Sequence, residues 1–207
     1  MDNFDISGKV LVKYTGKEPN VVIPEDIEII ADEAFMNCDC LQTVTFPKNL
    51  HSIGQYAFCR CSHLTKAIIP DTVEHIGQHC FRECKALAEV HLPKSIERLE
   101  SSMFRECVSL TTVTIPKNVT KVSAYIFDHC VRLQDVYFEG RKSGIMSVGL
   151  ITDEVSAKCH FPASSTQSKS KKTTATVKTA KSEEKSDVKS QDVSCDSVES
   201  IEEFVET

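Results

Sequence analysis

The 207 residues contain no apolar run of 18 or more. A helix needs about 20 apolar residues to cross a bilayer, so no segment reads as a membrane span. The opening MDNFDISGKV has neither the positive start nor the apolar stretch of a secretory leader, and a cytoplasmic location is the expectation from it. An excess of positive charge is also missing: 24 Lys and Arg stand against 30 Asp and Glu, for a formal net charge of −6. Phosphate backbones are bound by clustered basic surface, so nucleic acid is not an expected partner. Without a leader, and with 41% hydrophobic residues to build a core, the ten cysteines do not read as a secreted disulfide scaffold. They need another reason.

Their spacing supplies it. Cysteines recur at 38, 61, 84, 107 and 130, each 23 residues after the last. Prolines at 24, 47, 70, 93 and 116 keep the same step, as do Phe35, Phe58, Phe81, Phe104 and Phe127, and leucines at 41, 64, 87, 110 and 133. Aliphatic residues fill 27, 50, 73, 96 and 119, and again 30, 53, 76, 99 and 122. A strict period between about 20 and 50 residues marks a solenoid, and 23 lies in the leucine-rich range.

Each unit reads as one coil. The segments VVI, VTF, AII, VHL, VTI and VYF, starting at 21, 44, 67, 90, 113 and 136, alternate inward and outward as short strands. Proline, or Glu139 after the sixth, stops the strand and turns the chain. A tight return follows, with Gly54 and Gly77 in two copies, and then a small residue beside the phenylalanine that fills the coil centre. Stacked coils bury their apolar edges against one another. The recurrent cysteine leads into the strand and faces the core, where its S–H can meet a backbone carbonyl. At the ends the repeat decays. Residues 8–20, running on into the first strand, read as a hairpin cap with Gly16 in its turn, and repeats span about 21–138. A degenerate last coil fills 139–162, with Cys159–Pro162 in register with Val136–Glu139 and Ile145 in register with Val122.

The run aliphatic, Pro, two residues, aliphatic, two residues, Ile-Gly, two residues, Ala-Phe, two residues, Cys, two residues, Leu is carried most clearly by Ile53-Gly54, Ala57-Phe58, Cys61 and Leu64. It resembles the BspA-like, or Treponema-type, leucine-rich repeat family over roughly 8–162, and LVKYTGKEPNVVIP resembles the lead-in of that family. Ala31, Glu100 and Ser123 depart from it at the glycine, and Cys80, Met103 and Ile126 at the alanine. The resemblance implies a leucine-rich repeat solenoid, an α/β-type right-handed coil with short parallel strands. It also implies a role in adhesion at cell surfaces for many members.

Four chemistries compete for the remaining residues. Outward strand positions form a ladder of Thr43, Thr45, Lys66, Ile68, Glu89, His91, Thr112, Thr114, Asp135 and Tyr137, a rigid wall suited to a protein partner. Ile68, His91 and Tyr137 stand out there, against the plain alternative of a solvated face. The pairs Cys38/Cys40 and Cys59/Cys61, with His63 nearby, invite zinc, but Cys38 and Cys61 already belong to the inward ladder. Ladder disulfides are sterically open at about 5 Å between coils, yet a reducing compartment keeps thiols free. A thiol enzyme needs an exposed, acidified cysteine beside a histidine, and His79 next to Cys80 offers this only in sequence, since Cys80 takes the inward alanine position. No metal and no cofactor is expected.

Residues 163–207 carry 16 Ser or Thr and a single aromatic, a composition that reads as a disordered tail. Six lysines against two acids over 163–186 give way to one lysine against seven acids over 187–207. Within SVESIEEFVET, Val198, Ile201, Phe204 and Val205 would share one helical face, the layout of a docking peptide. The sequence therefore points to a leucine-rich solenoid over 1–162 and a tail over 163–207. A non-catalytic interaction module, scaffold or adaptor, is the leading function, with a surface adhesin next and a thiol-dependent enzyme last. A monomer is the expectation.

Overall fold

The computed structural model describes residues 3–141, 146–147 and 159–162, all within the compact unit Met1–Thr166. Among the described residues there are fifteen strands and no helix. The first coil and its lead-in hold β1 (Phe4–Ser7), β2 (Val10–Tyr14), β3 (Asn20–Val22) and β4 (Ile29–Ile30). Then come β5 (Thr43–Thr45), β6 (Ser52–Ile53), β7 (Lys66–Ile68), β8 (His75–Ile76), β9 (Glu89–His91) and β10 (Arg98–Leu99). The last are β11 (Thr112–Ile115), β12 (Lys121–Val122), β13 (Asp135–Phe138), β14 (Met146–Ser147) and β15 (Cys159–His160).

Each coil has three sides. The first is the expected strand wall, parallel and stepped by one repeat: Val21 pairs with Val44, Ala67 with Val90 and Val113 with Val136. The second side is a further parallel ladder of two-residue strands, in which Ile30 pairs with Ile53 and Ile53 with Ile76. The sequence reads this stretch as a plain return. Dividing 23 residues among three straight sides leaves no run long enough for a helix, so the α/β label of the family does not extend to helical turns here.

The third side bonds in one direction. The N–H groups of Glu33, Phe35 and Asn37 donate to the carbonyls of Gln55, Ala57 and Cys59 in the next coil at 2.9, 2.7 and 2.9 Å. The same forward set runs from Tyr56, Phe58 and Arg60 to Gln78, Cys80 and Arg82, and onward through Glu106 to Asp128. Between these bonds, turn contacts such as Met36 N–H to the Glu33 carbonyl stay within the coil. Holding alternate amides on one side requires a left-handed backbone at two places per coil. Positive φ recurs at Glu33, Tyr56, His79, Ser102 and Tyr125, and at Asn37, Arg60, Glu83, Glu106 and His129. None of these ten is glycine. L-residues with φ above zero are uncommon and cost about 1–2 kcal/mol each, so the inter-coil bonds and the packing hold them there.

The core lies inside the triangle. Phe35, Phe58, Phe81 and Phe104 are fully buried. Their rings, with Phe127, stack at centroid separations of 4.8, 5.4, 5.7 and 5.8 Å and near-parallel planes. Tyr14 extends the column by stacking on Phe35 at 5.1 Å. The cysteines do what their position suggested, with one refinement. The thiols of Cys61, Cys84, Cys107 and Cys130 donate to the carbonyls of Phe35, Phe58, Phe81 and Phe104, each in the preceding coil, at 3.0–3.2 Å. Each Phe carbonyl also accepts the N–H of the cysteine three residues on in its own coil, for example Cys38 to Phe35. Both lone pairs of a buried oxygen are thereby satisfied.

Three features differ from the sequence reading. The hairpin cap is not 8–20 with its turn at Gly16. β1 and β2 pair antiparallel, Ser7 opposite Val10, and the turn holds Gly8 at φ 61, a conformation that suits glycine. Gly16 lies in the loop from β2 to β3, where a side chain would collide with the Tyr14 hydroxyl at 2.4 Å. The seventh coil keeps its wall register, with Val136 opposite Cys159, but on the second side Val122 pairs with Ser147, not with Ile145. The sixth strand ends at Phe138, as β11 ends at Ile115, and the second-side pairing of this coil falls two residues later than the repeat predicts. Finally, β8 and β10 fall in separate sheets, and so do β9 and β11. Both breaks lie on one cut through the stack, between residues up to His91 and those from Arg98 on, across which the corner residue changes from Gly77 to Glu100. A Cβ on Gly77 would lie 2.4 Å from the Gln55 nitrogen, so the corner before the junction is closer than any side chain permits. Glu100 stands at the next corner, and the second ladder resumes where Ser123 N–H donates to the Leu99 carbonyl at 2.9 Å.

Candidate functional site

The strand wall presents two parallel columns of outward side chains, set by the period-two alternation of each strand. One column runs Asn20, Thr43, Lys66, Glu89, Thr112 and Asp135; the other runs Val22, Thr45, Ile68, His91, Thr114, Tyr137 and His160. All ten wall residues singled out from the sequence lie in these columns. Thr43, Thr45, Ile68, Glu89, His91, Thr112, Thr114 and Tyr137 are exposed, while Lys66 and Asp135 are half-buried. Asn20, Val22 and His160 were missed, although a step of 23 from Thr43, Thr45 and Tyr137 reaches each of them.

The columns are chemically zoned. At the first strands, the Thr43 hydroxyl donates to Asn20 Oδ1 at 2.6 Å. In the middle, Glu89 accepts Lys66 Nζ at 2.7 Å and His91 Nε2 at 2.8 Å on the same oxygen. Lys66 first, and then His91, hold the Glu89 carboxyl below the usual carboxylate range. At the far end the Tyr137 ring stacks on His160 at 4.8 Å, and His160 Nε2 meets Asp135 Oδ1 at 2.6 Å. Three large apolar side chains stand out of this polar lattice: Val22 at 67% exposure, Ile68 at 52% and Tyr137 at 45%.

The alternative sites fare differently. Cys59 and Cys61 are buried, Cys38 and Cys40 half-buried, and His63 Nδ1 is taken by the Asp39 carbonyl at 2.5 Å. Among the described residues no group of three or more His, Cys, Asp or Glu is placed to hold a metal. Cys38, Cys61, Cys84 and Cys107 of the ladder are free thiols. Burial pushes the thiols of Cys59, Cys61, Cys80, Cys84 and Cys107 up, and that of Cys38 up to about 11, the reverse of nucleophile activation. His79 stacks on Tyr56 at 4.6 Å. An open groove of about 860 Å3 lies on the second side across Asp32, Gly54, Glu74, Gly77 and Glu100, away from the wall. The proposed docking residues Val198, Ile201, Phe204 and Val205 lie outside the described residues.

Residues 9–134 match the BspA type leucine rich repeat region in six copies. Among solved structures, the chain is similar to the leucine rich repeat protein of T. pallidum, with 29% identity, a TM-score of 0.60, and 68% of this chain and 73% of that one covered. It is similar to the pneumococcal vaccine antigen PcpA at 26% identity and a TM-score of 0.54, covering 58% of this chain but 30% of that protein. A leucine-rich repeat protein of Eubacterium ventriosum shares the fold at 20% identity and a TM-score of 0.59, with 67% and 36% covered. The chain thus spans about a third of each of these last two. No curated protein matches it. The 23-residue coil, the cysteine-to-carbonyl ladder and the six matched copies place the chain in the BspA-type leucine-rich repeat family.

Proposed function

We propose that this chain is a non-catalytic module that captures a protein partner on the outward face of its strand wall, as a scaffold or adaptor. Leucine-rich repeat folds generally mediate protein–protein interaction and are typically non-catalytic. The observation that carries the wall reading is the exposure of Ile68 and Tyr137, at 52% and 45%, on a backbone locked by parallel pairing on both flanks. Aromatic and aliphatic anchors ringed by polar groups are what interface centres are made of. The other eight wall residues supply such a rim: Thr43, Thr45, Thr112 and Thr114 as adaptable hydrogen-bonding groups, and Lys66, Glu89, His91 and Asp135 as polar groups held by their neighbours.

A surface adhesin is the second reading, supported by the similarity to the pneumococcal vaccine antigen. Labelling of intact source cells with a membrane-impermeant biotin reagent, beside a cytosolic control, separates the two. Labelling of this chain alone favours the adhesin, and protection equal to the control favours the internal scaffold. The wall itself is tested by Ile68→Asp with Tyr137→Asp. Both side chains already face water, so the melting temperature is expected to stay within about 2 °C while partner capture is lost. Unchanged capture would sink the wall reading.

A further inference from the structure

The N-terminal hairpin closes two of the three sides of the stack and leaves the third open. On the second side β2 pairs with β4, Leu11 opposite Ile30. On the third, Tyr14 N–H donates to the Ala34 carbonyl at 2.8 Å. The wall receives no such cover: its sheet begins at β3, whose strand partner is β5. The alternation of a parallel ladder says which groups are bare. The Pro19 carbonyl accepts Thr43 N–H, and Ile23 N–H donates to the Thr45 carbonyl, so odd-numbered residues of this segment face β5. The N–H and C=O groups of Asn20 and Val22 point the other way. Among the described residues, none of these four groups meets a backbone partner.

A cavity of about 240 Å3 opens beside this edge, lined by Phe4, Tyr14, Val21 and Val22 with Glu18 and Asn20 at its polar part. Its volume suits one aliphatic side chain. Glu18 is the one charged residue among its lining, and its Oε2 is held in place by the Tyr14 hydroxyl at 2.7 Å and Asn3 Nδ2 at 2.9 Å. A bare strand edge beside an apolar pocket with a fixed carboxylate is matched by an extended chain that brings amides, one aliphatic anchor and a cation. We infer that the outer edge of β3 receives an extended, lysine- or arginine-bearing segment of a protein partner as an added strand, with one aliphatic side chain in the Phe4–Tyr14–Val21 cavity. The Glu18 carboxylate selects a basic segment by charge. This contact uses backbone groups at the end of the sheet and does not depend on the wall side chains Ile68 and Tyr137.

The test uses the full-length 15N-labelled chain and the blocked peptide Ac-TKITVTK-NH2. Binding is expected to move the Asn20 and Val22 amide resonances and to slow their hydrogen exchange by about tenfold, the scale of one net hydrogen bond. Two further peptides carry N-methyl groups on alternate residues, one set in each register. One set is expected to abolish binding and the other to leave it, because an added strand bonds through every second residue. Replacing the peptide lysines by glutamate is expected to weaken it. Val22→Pro removes an outward N–H from an edge strand, where proline is tolerated, and is expected to lose the peptide. Equal binding of both methylated peptides, or shifts confined to Ile68 and Tyr137, would overturn the added strand without touching the wall. Asn20 and Val22 amides already protected in the free chain would also overturn it. Protection that persists on dilution would assign the edge to another segment of this chain, and protection lost on dilution to a second copy.

Discussion

A single thiol shows how tightly each repeat position is specified. Cys84 is wholly buried, donates to the Phe58 carbonyl and sits between Cys61 and Cys107 in the ladder. Cys84→Ala removes the donor and leaves a small void, and denaturant titration is expected to show a loss of about 1–2 kcal/mol. Cys84→Asp puts an unpaired charge in the same place and is expected to abolish the cooperative transition altogether. His79 gives a pH dependence. Burial first, then the neighbouring Arg82 and Arg105, hold its imidazole below the ordinary 6.5. A depressed folded value means the unfolded chain takes up the proton first. Stability is therefore complete above 6.5 and falls as pH drops toward the folded value. His79→Phe keeps a ring against Tyr56 and removes the titration, so its urea midpoint is expected to change less between pH 7.5 and 5 than that of the parent. These residue roles were half legible. The inward cysteine and its carbonyl partner follow from the period and from thiol chemistry. The left-handed backbone at Tyr56, His79 and Tyr125 does not, because nothing in a Tyr or His signals positive φ when glycine is absent.

Among the elements, the corner between the second and third sides decides how closely coils approach. Gly77→Ala would set a carbon 2.4 Å from the Gln55 nitrogen, and backbone there cannot swing aside as a side chain would. A loss of about 2–3 kcal/mol in chemical denaturation is expected, larger than for a typical surface substitution. The wall strands were readable because β-branched residues alternate through segments such as Thr43–Thr45 and Thr112–Ile115. The second ladder was not, because two residues, as in Ser52–Ile53, are too few to display a period. The hairpin was placed too late because Gly16 looked like the turn residue, whereas Gly8 is the one with a positive φ. Strand pairing of β1 with β2 then decided the matter. The outer members of the wall, Val22 and His160, were within reach of the repeat arithmetic, one step of 23 from Thr45 and Tyr137.

At the scale of the whole stack, stability is the sum of coil and junction terms. The cut between residues up to His91 and those from Arg98 on crosses no strand ladder but keeps the Phe81–Phe104 ring contact at 5.7 Å and the three forward bonds from His79, Phe81 and Glu83. It is the junction with the fewest backbone bonds between full coils, and local opening should respect it. Phe104→Ala, which removes a fully buried ring, is expected to speed amide exchange over residues 97–138 well above its effect on 20–76. Equal acceleration on both sides would show that the stack opens as one unit.

The forward-pointing amides of the third side bear on how such a chain can change in length. Among the described residues, the sides beginning at Glu33, Tyr56, His79 and Ser102 each offer the next coil the same three donors, so one such unit is interchangeable with another at that face. A tandem duplication of 23 codons would therefore insert a coil that fits both neighbours on arrival, whereas 22 or 24 would misplace every ring and thiol downstream. Copy number becomes a heritable variable that selection can move in whole steps, and each added step lengthens the wall by two outward side chains.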